Sequence, residues 1–476
     1  MFSFPACIPI KRMRRFVYLA LLPFMILLAA CSVPDLNFAS TPTVAPLDPT
    51  PTSAPTVTPT PILPGATETL ERVLNRRSLV VGLQSDAVSP FVTTNEDGGY
   101  AGLDVLIADE FARRWIQRPN TLALVPQASI ADLVTGRVDI LMGGMPHTRS
   151  AEAEIDFSQT YWMQDDVPIA IGVAENDSLM RDLVNATLQT MVEDGTWDSL
   201  VDVVTDAPHP FTPEQWFGSA PSPEELAANS QAPAETRLSR DAQLNIAFLT
   251  QPGFINTTTG DNPSGYLPDL ARELNRRLTG NADVNLAPME TAPSFTSEDI
   301  DLFIGPQTHV WSSEHQVDFS QTFYGDGLAL IARPGSKVEG IDDLHNRPAA
   351  LLETATSRAL YEEAIADAGV TPILLPVSNS AEAVALLEDN KVDAVLIHGY
   401  PAARLLAARV PDAILTPGRH GPILPLVIVL PANDSLLRDA VNLALQDMST
   451  DGFLTELHDR YFGGAPPYPI EIWPLN

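Results

Sequence analysis

The chain has 476 residues and a formal net charge of -32, and 45% of its residues are hydrophobic. This length is enough for two or more domains with cores of their own. The negative charge argues against a nucleic-acid partner, because phosphate binding needs a basic surface, and it disfavours electrostatic docking on an anionic membrane.

The N-terminal residues are typical of a targeting segment. A basic stretch, Lys11–Arg15, precedes an apolar run, Phe16–Ala30, that is interrupted by Pro23 and too short for a comfortable transmembrane helix. The run ends in Leu-Ala-Ala-Cys31, which resembles a bacterial lipobox, where the cysteine is lipidated and becomes the first mature residue. We predict a lipoprotein signal peptide over residues 1–30 and lipidation at Cys31. The alternative is an ordinary signal peptide with an incidental cysteine.

Residues 31–67 form the next predicted segment. Its centre, TPTVAPLDPTPTSAPTVTPTPILP from Thr41, is mostly Thr and Pro. Such a composition favours extended polyproline II structure, so we predict a stalk between a lipid anchor and a folded domain. The other cysteine, Cys7, lies in the predicted signal peptide, which leaves one cysteine and no internal disulfide in the mature chain.

Two stretches of the remaining sequence occur twice. NDSLMRDLVNATLQTMVEDG at Asn176 returns as NDSLLRDAVNLALQDMSTDG at Asn433, 257 residues later, and IDFSQTYW at Ile155 returns as VDFSQTFY at Val317, 162 residues later. The second copy therefore carries 95 more residues between these landmarks. We predict copies at 68–204 and 241–466, a Pro-rich linker at 205–240 and a tail at 467–476.

Both copies begin with the same predicted elements. A short apolar strand, LVVGL at Leu79 or LNIAFL at Leu244, leads through an aromatic loop to a helix after Gly102 or Gly265. A second strand then precedes the repeated DFSQT landmark. Strands that alternate with amphipathic helices predict an α/β fold with a largely parallel sheet. The repeated twenty-residue stretch predicts a helix with one apolar stripe, and we interpret its near-identity as retained packing rather than a binding motif.

The additional residues of the second copy contain strand and helix signals of their own. Examples are IDDLHNRPAALLETATSRALYEEAIADAG at Ile341 and AEAVALLEDNKVDAVLIHG at Ala381. They predict a second α/β lobe inserted into the first, because the chain later returns to the shared helix. Two lobes joined by two crossing strands would form a hinged cleft.

The order of these motifs resembles a known family. GRVDILMGGMPHT, IDFSQTY, KVDAVL and the terminal NDSL helix are together similar to the family 3 extracellular solute-binding proteins, the periplasmic substrate-binding components of polar amino-acid ABC transporters. The resemblance implies a type II periplasmic-binding-protein-like fold with two hinged lobes, duplicated, with the first copy reduced to about one lobe. It implies a membrane-anchored extracytoplasmic protein, in the periplasm or at the cell surface, that passes a small solute to a membrane permease. Enzymatic activity, a cofactor and a metal are not expected.

In that family an arginine binds the ligand carboxylate and an aspartate binds its ammonium group. At these motif positions this chain has Ala151 in the first copy, and Ser313 and His398 in the second. A neutral, aromatic-stacking or differently charged solute is therefore favoured over a standard zwitterionic amino acid. Loss of ligand binding is the alternative.

The resemblance and the predicted loops together place nine candidate ligand-binding residues in the cleft of the second copy. They are Phe254, Thr308, Trp311, Ser313, Tyr324, Thr356, Arg358, His398 and Tyr400. For four of them another role stays open: a core ring for Phe254, a surface rim position for Trp311, a surface ion pair for Arg358 and a structural hydrogen bond for His398.

The first copy would have half a cleft. We expect it to bind no solute tightly by itself and to dock on the second copy or on a partner. The alternative function for the whole chain is a sensory or scaffold protein in which the binding fold serves protein contact.

Overall fold

The computed structural model describes residues 69–475, apart from 86–88, 206–210, 224–225, 227–236, 240–242, 258–262, 291–299, 315 and 464–467. The predicted signal peptide, Cys31 and the Thr/Pro-rich stalk lie outside the described residues.

The first copy is built around a five-stranded sheet of order β4-β1-β5-β9-β6. Strand β1 is parallel to β4 and β5, and β9 is antiparallel to β5 and β6. The elements of this copy are α1 (Thr69–Arg76), β1 (Leu79–Gln84), β2 (Thr93–Thr94), β3 (Tyr100–Ala101), α2 (Leu103–Ile116), β4 (Leu122–Ala128), α3 (Ile130–Val134), β5 (Ile140–Met142), α4 (Arg149–Glu152), β6 (Asp156–Phe157), β7 (Trp162–Gln164), β8 (Val167–Ile169), β9 (Gly172–Val173), α5 (Ser178–Glu193) and α6 (Thr196–Val204).

The second copy repeats this order and adds a lobe. Its sheet runs β13-β10-β14-β20-β15-β18-β16-β17, with β19 paired to β15. Its elements are β10 (Asn245–Leu249), β11 (Ile255–Thr257), β12 (Ser264–Gly265), α7 (Tyr266–Thr279), β13 (Asn285–Met289), β14 (Leu302–Thr308), α8 (Trp311–Glu314), β15 (Val317–Ala332), β16 (Pro348–Leu352), α9 (Ala355–Ala368), β17 (Ile373–Val377), α10 (Ser380–Glu388), β18 (Ala394–His398), α11 (Tyr400–Ala407), β19 (Ile414–Leu415), β20 (His420–Pro431), α12 (Ser435–Thr450) and α13 (Phe453–Tyr461), with short 3-10 helices at Arg237–Ser239 and Ile341–Leu344. The predicted α/β class and two-lobed fold are confirmed. The expectation of a largely parallel sheet is wrong: the sheet is mixed, because β20 pairs antiparallel with β14 and β15, and β18 pairs antiparallel with β15.

The repeated stretch is a helix in both copies, α5 and α12. The side chains of Asp177 and Asp434 cap these helices by accepting the backbone N–H groups of Met180 and Leu437. Each helix also hydrogen-bonds to the DFSQT stretch of its own copy. The backbone N–H of Gln159 donates to Asn185, and that of Gln321 donates to Asn442, both at 2.8 Å.

Two long antiparallel strands connect the lobes of the second copy. The pairing of β15 with β20 runs from Val317 opposite Pro431 to Leu328 opposite His420. The far half of β15 also pairs with β18, from Leu328 opposite His398 onward. Strand β15 therefore belongs to both lobes and forms, with β20, the hinge between them.

The first copy contains the same two strands, shortened to a hairpin. Gln164 pairs with Val167 in β7 and β8, at the place where Asp326 pairs with Leu424 in the second copy. A two-residue turn joins Gln164 to Val167, whereas residues 327–423 join Asp326 to Leu424. Asp165 and Asp166 have φ values of 50° and 65°, as the type I′ turn of a tight hairpin requires. The difference of 95 residues is thus confined to one loop of the sheet.

The lobes of the second copy touch across the expected cleft. One apolar cluster contains Phe254 and Leu302 from the first lobe together with Val395 and Tyr400 from the second. A Cβ atom on Gly253 would lie only 2.6 Å from Cβ of Pro401, at the start of α11. The two lobes of the second copy are therefore in direct contact at this point, and the predicted hinged cleft is closed here.

Because both turn residues of the first copy are left-handed, we expect Asp166→Gly to stabilise the chain by up to about 1 kcal/mol and Asp166→Val to destabilise it by about 1–2 kcal/mol. Urea unfolding of the full chain measures both effects. Equal unfolding midpoints for the glycine and valine variants would show that the turn does not constrain the hairpin.

Candidate functional site

A buried carboxylate lies where β15 leaves the first lobe of the second copy. Asp326 is 1% exposed, and its Oδ1 accepts the backbone N–H of Tyr400 at 3.1 Å. His398 Nε2 is 3.7 Å from Asp326 Oδ2. Burial raises the pKa of Asp326, while His398 and the backbone donors oppose that shift. The hinge strand and the second lobe thus meet at one polar contact.

Four aromatic rings surround the first-lobe side of this contact. The ring centroid of Phe254 is 5.3 Å from that of Tyr324, 5.6 Å from Phe462 and 6.1 Å from Tyr266. Arg419 lies over the Tyr324 ring, with Cζ 4.9 Å from its centroid. Phe254 and Tyr324 are fully buried. Phe254 is therefore a core ring, which is the alternative role considered for it.

The other cleft candidates of the second copy are distributed over both lobes. Thr308 ends β14 and is half-buried opposite Leu426. Thr356 is exposed in the first turn of α9. Arg358 Nε donates to Glu353 Oε1 at 3.0 Å, which is the surface ion pair of the alternative interpretation. The structure brings together Phe254, Tyr324, His398 and Tyr400, whereas Arg358 pairs with Glu353.

Trp311 and Ser313 lie on α8, which faces the first copy. The Trp311 indole N–H donates to Gln189 of α5 at 2.6 Å, and the side chain is 3% exposed. The surface-rim alternative for Trp311 is therefore wrong, because the ring is buried. It lies in the contact between the copies and not beside His398.

Two further residues belong to the cluster and were not predicted from the sequence, Asp326 and Arg419. A signal for Asp326 was available, since it directly precedes the apolar run that ends β15. Arg419 precedes β20 and approaches Tyr324 only because the two hinge strands are antiparallel neighbours. Pairing over such a distance in sequence is not visible in one chain.

In the first copy, the polar groups of the corresponding region hydrogen-bond to one another. Asp104 accepts the backbone N–H groups of Gly143 and Gly144 at 2.6 and 2.8 Å, and the Tyr161 hydroxyl donates to it at 2.7 Å. Burial raises the pKa of Asp104 to about 6, and these hydrogen bonds partly oppose the shift. The backbone N–H groups of Gly143 and Gly144 are thus already bound by an acceptor within the first copy.

The contact between the copies is pseudo-symmetric and centred on two arginines. Arg181 of α5 donates to Asp318 of the second copy at 2.9 Å, and Arg438 of α12 donates to Asp156 of the first copy at 2.8 Å. Each arginine also donates to the next residue of its own helix, Asp182 or Asp439. Both guanidinium groups are buried, so each is neutralised by a carboxylate from each copy.

Aromatic side chains after each repeated helix reinforce this contact. Trp216 stacks on His309 of the second copy with a centroid separation of 3.6 Å, and Trp473 stacks on His147 of the first copy at 4.0 Å. The backbone N–H of Trp216 donates to the side chain of Gln189, and that of Trp473 donates to the side chain of Gln446. Part of the predicted linker and part of the predicted tail are therefore equivalent segments of the contact.

Three carboxylates of this contact lie close enough to hold a metal ion. Oxygen atoms of Glu152, Asp156 and Asp439 all lie within 4.8 Å of one another. The guanidinium of Arg438 is 2.7 Å from Asp439, 2.8 Å from Asp156 and 3.8 Å from Glu152. A protein cation already occupies this position, which disfavours a metal ion there.

Among the helices that the structure describes, none is long and apolar enough to cross a membrane.

The fold and the hinge define a class, a two-lobed binding protein with a second, shortened copy. The family model for bacterial extracellular solute-binding proteins, family 3, matches residues 79–203 and 244–464, more than half of the chain. The chain therefore belongs to this family, as the sequence motifs indicated.

Two curated relatives agree with this assignment. The chain is 24% identical over 224 residues to the ABC transporter glutamine-binding protein GlnH of Bacillus subtilis (strain 168), which covers 45% of this chain and 78% of that protein. It is 32% identical over 100 residues to the glutamine-binding protein of Geobacillus stearothermophilus, which covers 20% of this chain and 38% of that protein.

Two solved structures each match about half of the chain. The unliganded open L-cystine solute receptor of Neisseria gonorrhoeae is 18% identical with a TM-score of 0.40, covering 50% of this chain and 98% of that one. A polar amino acid ABC uptake transporter substrate-binding protein from Streptococcus thermophilus is 14% identical with a TM-score of 0.40, covering 48% and 88%.

We expect Arg438→Ala to destabilise the full chain by about 3–5 kcal/mol, because it leaves buried carboxylates without their cation. Arg149→Ala is the matched control. Arg149 also bridges the copies, to Asp447 at 2.6 Å, but both side chains are partly exposed, so its loss should cost less than about 1 kcal/mol. Urea unfolding compares the two, and equal losses would contradict a dominant buried network.

Proposed function

We propose that the chain is a non-enzymatic, membrane-anchored solute-binding lipoprotein that delivers a small polar solute to an ABC permease. The second copy would bind the solute between its lobes, and the first copy would act as a docked partner. Family membership supports the transport role. The lipobox-like sequence at Cys31 and the Thr/Pro-rich stalk support anchoring.

The observation that carries this proposal is the hinge-side contact of the second copy. Asp326 on the hinge strand meets His398 and the backbone of Tyr400 on the second lobe. A solute that binds between the lobes would compete with or extend this contact, and so would change the relative stability of open and closed forms. A ligand drives closure only through such differential contacts.

The first copy supports the proposal in a different way. Its glycine donors are already bound by Asp104, and a two-residue turn takes the place of the second-lobe segment. We therefore propose that solute binding belongs to the second copy alone, within the layout 68–204, 205–240 and 241–466.

A sensory or scaffold protein is the second candidate. The burial of Phe254, Tyr324 and Tyr400 and the contact of Pro401 with Gly253 favour it, because they fill part of the cleft with protein atoms. Such a protein would keep the closed arrangement without a solute.

A thermal-shift screen of the full chain against amino acids, amines, sugars and organic acids distinguishes the two candidates. A true solute at 100 times its dissociation constant should stabilise the chain by about 2.7 kcal/mol. A flat response to all four classes would favour the sensory or scaffold role.

For any solute found, we expect Asp326→Asn and His398→Gln each to weaken binding about tenfold or more, since both alter the polar contact between the lobes. Asp389→Asn is the control, because Asp389 is an exposed second-lobe aspartate that pairs with Lys391. Titration calorimetry gives the affinities. Unchanged binding in both cleft variants would place the solute elsewhere.

A further inference from the structure

Two carboxyl pairs cross the contact between the copies. Carboxyl oxygen atoms of Glu152 of the first copy and Asp439 of the second lie within 4.8 Å of each other. Asp182 of the first copy and Glu314 of the second both contact Nη2 of Arg181, at 2.9 and 3.6 Å. All four side chains are buried. Two buried carboxylates this close repel each other unless one carries a proton, which it can then donate to the other, because an ionised carboxylate only accepts.

The groups around Glu152 cannot neutralise it completely. His147 Nε2 contacts Glu152 Oε2 at 2.7 Å, and Arg438 is 3.8 Å away but also contacts Asp156 and Asp439. Asp156, Arg181 and Glu471 act on Glu152 electrostatically. Burial lowers the pKa of His147 to about 4, so this imidazole is neutral at ordinary pH.

The groups around Glu314 are arranged in the same way. His309 Nε2 contacts Glu314 Oε2 at 2.6 Å, and Arg181 is 3.6 Å away but is shared with Asp182 and Asp318. Burial lowers the pKa of His309 to about 3, and the nearby Glu214 and Asp318 only partly oppose this shift.

The charges at this contact therefore do not balance. Two guanidinium groups face seven buried or largely buried carboxyl groups, and both histidines are neutral. The seven are Glu152, Asp156, Glu175, Asp182, Glu314, Asp318 and Asp439. Since isolated buried charges are very costly, protons must supply the remaining neutralisation.

We infer that the docking of the two copies depends on protons. The copies stay docked while the Glu152–Asp439 and Glu314–Asp182 pairs each hold a proton, and they separate when alkaline conditions remove those protons. The mechanism is like-charge repulsion across a buried contact. It does not rest on the solute or on the proposed transport role.

The directions of the pKa shifts agree with this inference. Burial raises the pKa of Glu314 to about 8 and raises the pKa values of Glu152, Asp182 and Asp439 well above their ordinary range. A carboxyl group whose folded pKa is raised stabilises the fold fully below its unfolded pKa. That stabilisation is lost as the pH rises through the folded pKa, which for Glu314 is near 8.

One carboxyl group breaks the symmetry. Glu175 precedes α5, and Ala432 is its counterpart before α12. Both carboxyl oxygens of Glu175 are buried, and among the described residues neither has a hydrogen-bond partner. Burial, together with Asp156, Asp439 and Glu152, raises the pKa of Glu175 to about 11. Glu175→Ala therefore reproduces the second-copy sequence and removes one proton-dependent group from the half that contains Glu152.

The tryptophans of the contact provide the measurement. Trp216, Trp311 and Trp473 lie in it, so separation exposes three of the six tryptophans to water. We would follow tryptophan emission and the radius of gyration of the full chain between about pH 5 and about pH 10, with far-ultraviolet circular dichroism as a control for global unfolding. Docking should be lost at the alkaline end while secondary structure persists.

The double variant Glu152→Gln with Glu314→Gln should move this transition upward by about one pH unit or more, because glutamine donates to the paired aspartate without a titrating proton. Asp447→Asn should leave it unchanged, since its ion pair with Arg149 is partly exposed. If the double variant does not fold, Glu175→Ala serves instead and should also move the transition upward. An emission spectrum and radius constant over the whole range, or a transition at the same pH in the substituted and wild-type chains, would overturn the inference.

Discussion

Two buried guanidinium groups determine how the copies of this protein fit together. Arg181 and Arg438 occupy the same position in the repeated helix, and each binds one aspartate of its own helix and one of the other copy. A buried arginine without such partners would be strongly destabilising, so this docking geometry is set by charge as well as by apolar packing. The stacked pairs Trp216–His309 and Trp473–His147 fit around it.

The reduction of the first copy is consistent with this constraint. Asp318, which binds Arg181, lies near the start of β15, whereas the second-lobe segment begins beyond Asp326. A two-residue turn between β7 and β8 therefore leaves the docking residues in place. Asp165 and Asp166 take left-handed conformations there, which aspartate tolerates better than most residues. The first copy keeps the helix, the DFSQT loop and the aromatic segment that dock, and it contributes a partner surface to the second copy.

The cleft of the second copy differs in where its charged side chains lie. The positions at which the resemblance to the family implies charged anchors hold Ser313 and His398, and the structure places a carboxylate, Asp326, and a cation, Arg419, on the hinge strands or beside them. This arrangement couples the cleft to the relative position of the lobes, because Asp326 also accepts the backbone N–H at the start of α11.

The sequence by itself determined the α/β class, the duplication, the family and the insertion of a second lobe, because hydrophobic periodicity and repeated motifs are local properties. It also contained a signal that was not used: Trp216 and Trp473 keep the spacing of the repeated helix, and His147 and His309 keep that of the DFSQT landmark. Only the tertiary structure decided that Trp311 belongs to the contact between copies, that Asp326 and Arg419 belong to the cleft, and that the lobes touch at Gly253. Those contacts join residues distant in sequence through antiparallel pairing and packing, which one chain's pattern does not encode.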